Sequence, residues 1–428
     1  MKKKYRIILY TSIFLLCVVA SIILVVKKSN SVYEEESKPK VVKHKSMLSM
    51  NLEQTAGSGD YKTVTQSKWP TEGYKFNAEL SRCENGSTLS WDDTKKAVIV
   101  SGNLSDKCYV YFDIYQPTLA EYIKSQYTGT QGENNIYYHD SDLANGAGDN
   151  SYRYAGANPN NFVCFGSDTS PCPTDNLYRI IGVFGENYHG VTGKQLVKLI
   201  KYDYMTTDEL GTDGDYSQTY KEWGMDSTYK GTYGDGERIG VYYWNYKATG
   251  SATNTWSTSL LNKTNLNTNF INYLGTTWAN KIATVTWKVG GNTYANISDV
   301  VPATTYQNEI VNPVTTNTTD NATTYSAKIG LMYVSDYGFA ASPDAWTLTM
   351  SSYNNTTAKN NNWMYMGLYE WTISRFADHS NIAFFVYSDG VGYDIVNSGY
   401  GVRASFSLES SVSYVSGSGS MSDPIVIN

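Results

Sequence analysis

Residues 176–202, NLYRIIGVFGENYHGVTGKQLVKLIKY, constrain the fold more than any other stretch of the chain. Two runs within it, 177–184 and 196–202, are rich in Ile, Val, Leu and Tyr, and the segment between them, 185–195, has the Gly and Asn content of a turn. The composition predicts a β-hairpin. Both runs are nearly continuous in apolar residues rather than alternating, so both faces must be covered and the hairpin belongs inside a sheet. The rest of the chain has to pack around it.

At 428 residues there is room for two or three domains and a sizeable core. The first 45 residues hold ten of the 34 Lys and Arg and three of the 40 Asp and Glu, which leaves 24 basic against 37 acidic residues, about −13, on the remainder. An acidic body without a Lys/Arg stripe argues against nucleic acid as a partner, because phosphate binding rests on basic side chains. Residues 7–26 are twenty residues without a charge. Lys2, Lys3, Lys4 and Arg6 precede them and Lys27 and Lys28 follow. At about 1.5 Å per residue this run crosses a hydrocarbon core of about 30 Å. No small-residue cleavage site follows Val26, and Leu15 and Leu16 ahead of Cys17 do not suit a lipid-modified cysteine. An uncleaved signal-anchor fits better than a cleaved signal. The excess of basic residues before the run leaves the body outside the cytoplasm, tethered to the membrane through that helix.

Outside the cytoplasm thiols oxidise, and Cys83, Cys108, Cys164 and Cys172 are available. Their order suggests Cys83–Cys108 and Cys164–Cys172, although spacing alone allows three connectivities. No CxxC is present and there are only four histidines, so a cysteine-based metal site is disfavoured.

The sequence divides into a signal-anchor at 1–28, a polar stalk at 29–68, a small β module at 69–116, a helix with connecting loops at 117–175 and a large domain at 176–428. The stalk has almost no large apolar residues apart from Met47, Leu48, Met50 and Leu52. The module shows β-type runs (YKFNAEL, STLSW, KAVIVSG, KCYVYFDIY) separated by turn residues. Thr118 is placed to cap a short helix bearing Leu119, Tyr122 and Ile123 on one face. Residues 129–161 read as a long loop, 208–215 as an acidic loop, and Leu266, Phe270, Leu274, Trp278 and Ile282 recur every four residues as two short helices with a break near Gly275. A strand follows at 282–289, an Asn/Thr-rich insertion at 306–325, a strand running into a turn at 328–339, and three strands at 382–388, 392–397 and 401–408. The fold class is α+β.

Two motif sets carry resemblances. C-x-N-G-S…SW-D…K-C-x-V-Y-F-D resembles a small β module of cell-surface proteins from low-GC Gram-positive bacteria. NLYRIIGVF…VKLIK, WSTSLLN, KIGLMYVSDYG, a Trp-rich stretch and GVRASFSL followed by GSGSMSDPIVI resemble an uncharacterised extracellular domain family of gut-associated Gram-positive bacteria, over about residues 150–428. That family looks related to the C-type-lectin-like fold, in the branch that holds formylglycine-generating enzyme. The resemblance implies a C-type-lectin-like domain with a mixed or antiparallel sheet and short helices, and a pairing of the Leu177 strand with the 401–408 strand. Val402-Arg403-Ala404 departs from the Val-Arg-Pro usual in relatives, and Arg403 reads as structural.

Chemistry is thin. The related branch uses a cysteine pair in its catalytic centre, and this chain has no cysteine after Cys172. HExxH, GxSxG and a Walker A loop are missing, and Ser227-Thr228-Tyr229-Lys230 matches SxxK without its companion motifs. His139, His189 and His379 sit in Gly/Asn/Asp-rich surroundings with no nucleophile, as surface histidines would. Asp208, Glu209, Asp213 and Asp215, and again Asp235 and Glu237, read as solvated acidic loops rather than a calcium site. No catalytic residue, cofactor or metal is expected.

With 38 Tyr against 12 Phe and abundant Asn, Ser and Gly, the composition fits an adaptable recognition surface, although an A/T-rich genome would enrich the same residues. Trp363, Tyr365, Trp371, Tyr387, Tyr393, Asp394, Asn397 and Tyr400 are expected to form one exposed aromatic-polar face for a glycan or protein ligand. A membrane-anchored recognition or adhesion protein is the leading expectation, ahead of a surface hydrolase acting on carbohydrate or cell wall and of a structural envelope component.

Overall fold

The structure, a computed structural model, describes residues 48–65, 68–70, 73–222, 229–234, 236–313, 322–354 and 359–428. The expected membrane anchor, the first part of the stalk, Ser227 and Thr228 of the SxxK match, Asp235 and the middle of the Asn/Thr-rich insertion lie outside these residues. Among the described residues no helix is long and apolar enough to cross a membrane. The described residues form two compact units, divided between Tyr115 and Gln116.

In the first unit, β1 (Leu48–Glu53), β2 (Tyr61–Val64), β3 (Tyr74–Cys83) and β6 (Cys108–Ile114) make a sheet in the order β2-β1-β6-β3, with β4 (Thr88–Asp92) and β5 (Ala97–Ser101) as a separate hairpin. The end of the expected stalk is therefore part of the module. Leu48, Met50 and Leu52 fall at the two-residue period of a strand, and Met50 and Leu52 are buried with Val98, Val110 and Phe112. Phe112 is ringed by Trp69, Phe76 and Trp91 at 5.6 to 5.9 Å. Cys83 and Cys108 stand directly opposite each other in β3 and β6 and are disulfide-bonded.

The second unit is mixed α+β, mostly sheet with short helices. Its centre is the expected hairpin: β10 (Leu177–Phe184) pairs antiparallel with β11 (Leu196–Lys201), and every residue of both strands is buried. Gly182 is required there, because a Cβ would lie 2.2 Å from the Tyr152 carbonyl of the adjacent strand. Around the hairpin the order is β17 (Ile329–Gly330), β22 (Ser405–Ser407), β11, β10, β8 (Ser151–Tyr154) and β7 (Ile136–His139), with β9 (Phe162–Cys164) also on β10. Cys164 and Cys172 form the second disulfide beside it.

Several expectations are corrected. The 401–408 strand pairs with β11 and β17, not with the Leu177 strand, because β11 lies between them. Residues 129–161 are not all loop: Tyr138 and Tyr152 stack across β7 and β8 at 4.6 Å, which gives that Gly- and Asn-rich stretch a strand pair. The strand expected at 328–339 is two residues long and runs into a helix, Val334–Ala340, whose Asp336 accepts from the Tyr333 backbone N–H. The helix Leu119–Ser125 has the expected Thr118 cap, completed by Glu121 as a capping box. The helical region 261–279 breaks at Gly275, which sits at φ 70°.

A second sheet, in the order β15 (Gly291–Asn292), β18 (Glu370–Phe376), β19 (Ile382–Tyr387), β20 (Gly390–Ile395), carries the C-terminal aromatic residues. A three-stranded sheet of β12 (Tyr216–Thr219), β13 (Gly240–Tyr243) and β21 (Gly399–Tyr400) adjoins it through the residues next to Tyr400.

Candidate functional site

Strand alternation decides which of the expected ligand residues can share a face. In the β19–β20 hairpin Tyr387 opposes Gly390, Phe385 opposes Gly392 and Ala383 opposes Asp394, so these six residues lie on one side. Phe384 opposes Tyr393 and Ile382 opposes Ile395 on the other side. Tyr393 and Asp394 therefore point in opposite directions. Tyr393 packs on Phe376 at 4.9 Å and on Tyr294 at 5.3 Å, and is about half exposed.

The Asp394 side forms an aromatic platform. Tyr369 stacks on Phe385 at 5.4 Å and meets Tyr387 at 5.2 Å and Tyr400 at 5.3 Å. Phe385 touches Tyr387 and Tyr400, and Trp371 lies 4.6 Å from Tyr400. Gly392 makes room for these rings, since a Cβ there would come within 2.8 Å of Phe385 Cζ and 3.2 Å of Tyr387 Cε1. The Tyr400 hydroxyl donates to Asp394 Oδ2 at 2.6 Å, and the Ile395 N–H donates to Asp394 Oδ1 at 2.7 Å. Burial first, and the Asp394 hydrogen bond second, push the Tyr400 phenol well above its usual range, so it stays a donor.

The expected exposed face is thus divided. Tyr387, Asp394 and Asn397 reach the surface, as does Tyr393 on the opposite side of the hairpin. Trp363, Tyr365, Trp371 and Tyr400 are buried. Trp363 donates its indole N–H to the Tyr154 carbonyl and packs against Arg179; Trp371 donates to the Tyr242 carbonyl. These rings have a polar tip that a backbone carbonyl satisfies, which is why a Trp-rich stretch here builds core. Tyr369, partly exposed and in contact with Phe385, Tyr387 and Tyr400, was not singled out by the sequence, although it stands two residues before Trp371 in the same aromatic run.

The other candidates also move. His139 and His189 are buried rather than at the surface: His139 is enclosed by Phe339 and Trp346, and His189 is held by the Phe184 and Lys194 carbonyls. Burial pushes both imidazoles below their usual range, His139 far below, so they remain neutral. His379 is exposed. In the acidic loop only Asp208 and Asp213 are solvated; Glu209 pairs with Lys201 at 3.1 Å in the interior, and Asp215 is fully covered. Arg403 is structural, paired inside the domain with Glu370. Among the described residues no group of three or more His, Cys, Asp or Glu side chains is placed to hold a metal.

No family model, curated protein or solved structure matches this chain. What the site can do rests on its own chemistry: two ring faces at the surface, Tyr369 and Tyr387, one carboxylate with lone pairs beyond the two it uses, and a floor of buried aromatic side chains.

Proposed function

We propose that this is a membrane-anchored extracellular recognition protein whose C-terminal domain, of C-type-lectin-like fold, binds a glycan on the platform of Tyr369, Tyr387 and Asp394. The observation that carries the reading is the packing of Tyr369 on Tyr387 and on Tyr400, whose hydroxyl donates to Asp394, on a single face of the β19–β20 hairpin. Sugar rings present C–H faces that stack on aromatic surface and hydroxyls that donate to a carboxylate. Rings already held by their neighbours bind with little loss of freedom. The two disulfides support an oxidising, extracytoplasmic setting, and the uncharged run at 7–26 supplies the anchor.

The full chain, solubilised and applied to a glycan array, should bind a restricted set of sugars, and Tyr369→Ala with Tyr387→Ala should lose at least tenfold in affinity while the thermal unfolding midpoint stays within a few degrees. Retained binding in that double variant rejects the platform as the site. Turnover of a bound glycan would make the protein an enzyme instead.

A further inference from the structure

The interior of the large domain holds a lysine and an aspartate in an unusual setting. Lys198 Nζ, on β11, lies 2.6 Å from Asp336 Oδ2, at the start of the helix Val334–Ala340, and neither side chain reaches solvent. The amine is caged by three rings, Tyr333 at 4.5 Å, Tyr188 at 4.8 Å and Trp287 at 5.0 Å. The Tyr188 hydroxyl bridges the pair: it accepts from Lys198 Nζ at 2.8 Å and donates to Asp336 Oδ1. On the other carboxylate oxygen the Tyr333 backbone N–H donates to Oδ2 at 3.0 Å. Arg153 Nη1, buried without a hydrogen-bond partner, stands 4.0 Å from Oδ1.

We propose that Lys198 and Asp336 become joined by an intramolecular amide bond from Nζ to Cγ, a self-formed cross-link between β11 and the helix Val334–Ala340. The parts match the reaction. Tyr188 relays a proton from the ammonium to Oδ1, which leaves a neutral amine beside a neutral acid. The amine lone pair attacks Cγ, and the charge that develops on Oδ2 meets the Tyr333 N–H as an oxyanion donor. A second proton passes from nitrogen to Oδ1, the Cγ–Oδ1 bond breaks, and one water leaves. Ammonium plus carboxylate become amide plus water, so charge and atoms balance with no oxidant or cofactor.

Burial draws the Lys198 amine below its ordinary value, and the nearby Glu309, also enclosed, is pushed up to about 7, chiefly by burial. A contrast lies three residues along the same strand. Lys201 pairs with Glu209 at 3.1 Å, but its ammonium donates to the Asp175 carbonyl, and among the described residues no tyrosine hydroxyl bridges the two.

The test is peptide mapping of the purified full chain after unfolding and reduction. A branched peptide containing Lys198 and Asp336, lighter by one water than its two linear parts, is the expected result. Recovery of the two residues only in separate, unmodified linear peptides overturns the proposal. So does a loss of water that maps to any other pair. Tyr188→Phe keeps the ring and removes the relay, so the branched species should form at least tenfold more slowly. Formation at the wild-type rate refutes the assigned route. Lys198→Arg, which keeps the charge, should yield linear peptides only, and any branched peptide at Asp336 in that variant also counts against the assignment.

Discussion

Arg403 and Glu370 form a forked pair inside the large domain, with Arg403 Nε donating to both carboxylate oxygens at 2.9 and 3.0 Å and Nη2 donating to the Met364 carbonyl at 2.6 Å. Glu370 stands between Tyr369 and Trp371, and Arg403 follows Tyr400 by three residues, so the pair fixes the two segments whose rings make the platform. Such a pair gives little net stability against an apolar replacement, but breaking it strands a buried charge. Arg403→Met should cost about 3–5 kcal/mol in urea unfolding. Adding Glu370→Leu should recover much of that. A single variant as stable as wild type would show that Glu370 is not held as an ion.

Trp371 and Tyr369 separate core from surface within three residues. Trp371 is fully buried and donates to the Tyr242 carbonyl, so Trp371→Ala should cost about 3–5 kcal/mol by cavity formation and the lost partner. Tyr369 is partly exposed, so Tyr369→Ala should cost about 1 kcal/mol, near the centre of the range for single substitutions, while weakening glycan capture. Equal stability losses in the two variants would mean that Tyr369 is a core residue and that the platform is closed.

The Cys83–Cys108 bridge closes a loop of sequence separation 25 in a unit whose core is small. Chain-entropy reasoning gives it about 3 kcal/mol, a large share of what such a unit possesses. Replacing both cysteines by serine should melt the sheet formed by β1, β2, β3 and β6, read as faster amide hydrogen exchange at Val110 and Phe112. The β10–β11 amides should keep their protection. Unchanged exchange at Val110 would show that the apolar core suffices without the bridge.

The legible parts of the fold were those with a local physical signature. The apolar runs at 177–184 and 196–202, the Thr118 cap and the Gly275 break each followed from period or chemistry within a few residues. Pairing over long separations was not visible: the resemblance implied the wrong neighbour for the 401–408 strand, and nothing in residues 48–64 announced that Met50 and Leu52 belong to a sheet with β6. The site was half legible. Aromatic content located the β19–β20 hairpin, but tyrosine is as useful in a core as on a surface once its hydroxyl has a partner, as with Tyr204 on the Leu368 carbonyl and Tyr242 on the Gly211 carbonyl. Burial, not composition, separated Trp371 from Tyr369.

Asp215 makes stability fall as pH rises. Its side chain is covered, Oδ2 accepts from the Leu261 N–H at 3.0 Å, Oδ1 has no partner, and burial pushes the carboxyl up to about 7. In the unfolded chain the same group titrates near 4. Between those values the native state holds a proton that the unfolded state has lost, so the contribution is complete below about pH 4 and disappears as pH passes through about 7. At about 1.4 kcal/mol per tenfold difference in proton affinity, the upper bound is about 4 kcal/mol. Glu309, raised in the same way, adds a fall of the same sign, and for that reason the informative quantity is the difference between wild type and Asp215→Asn. Measured by urea unfolding from pH 4 to pH 8, that difference should move steadily against the wild type up to about pH 7 and then level. A flat difference across the window would place the Asp215 carboxyl in contact with water and remove it from the core.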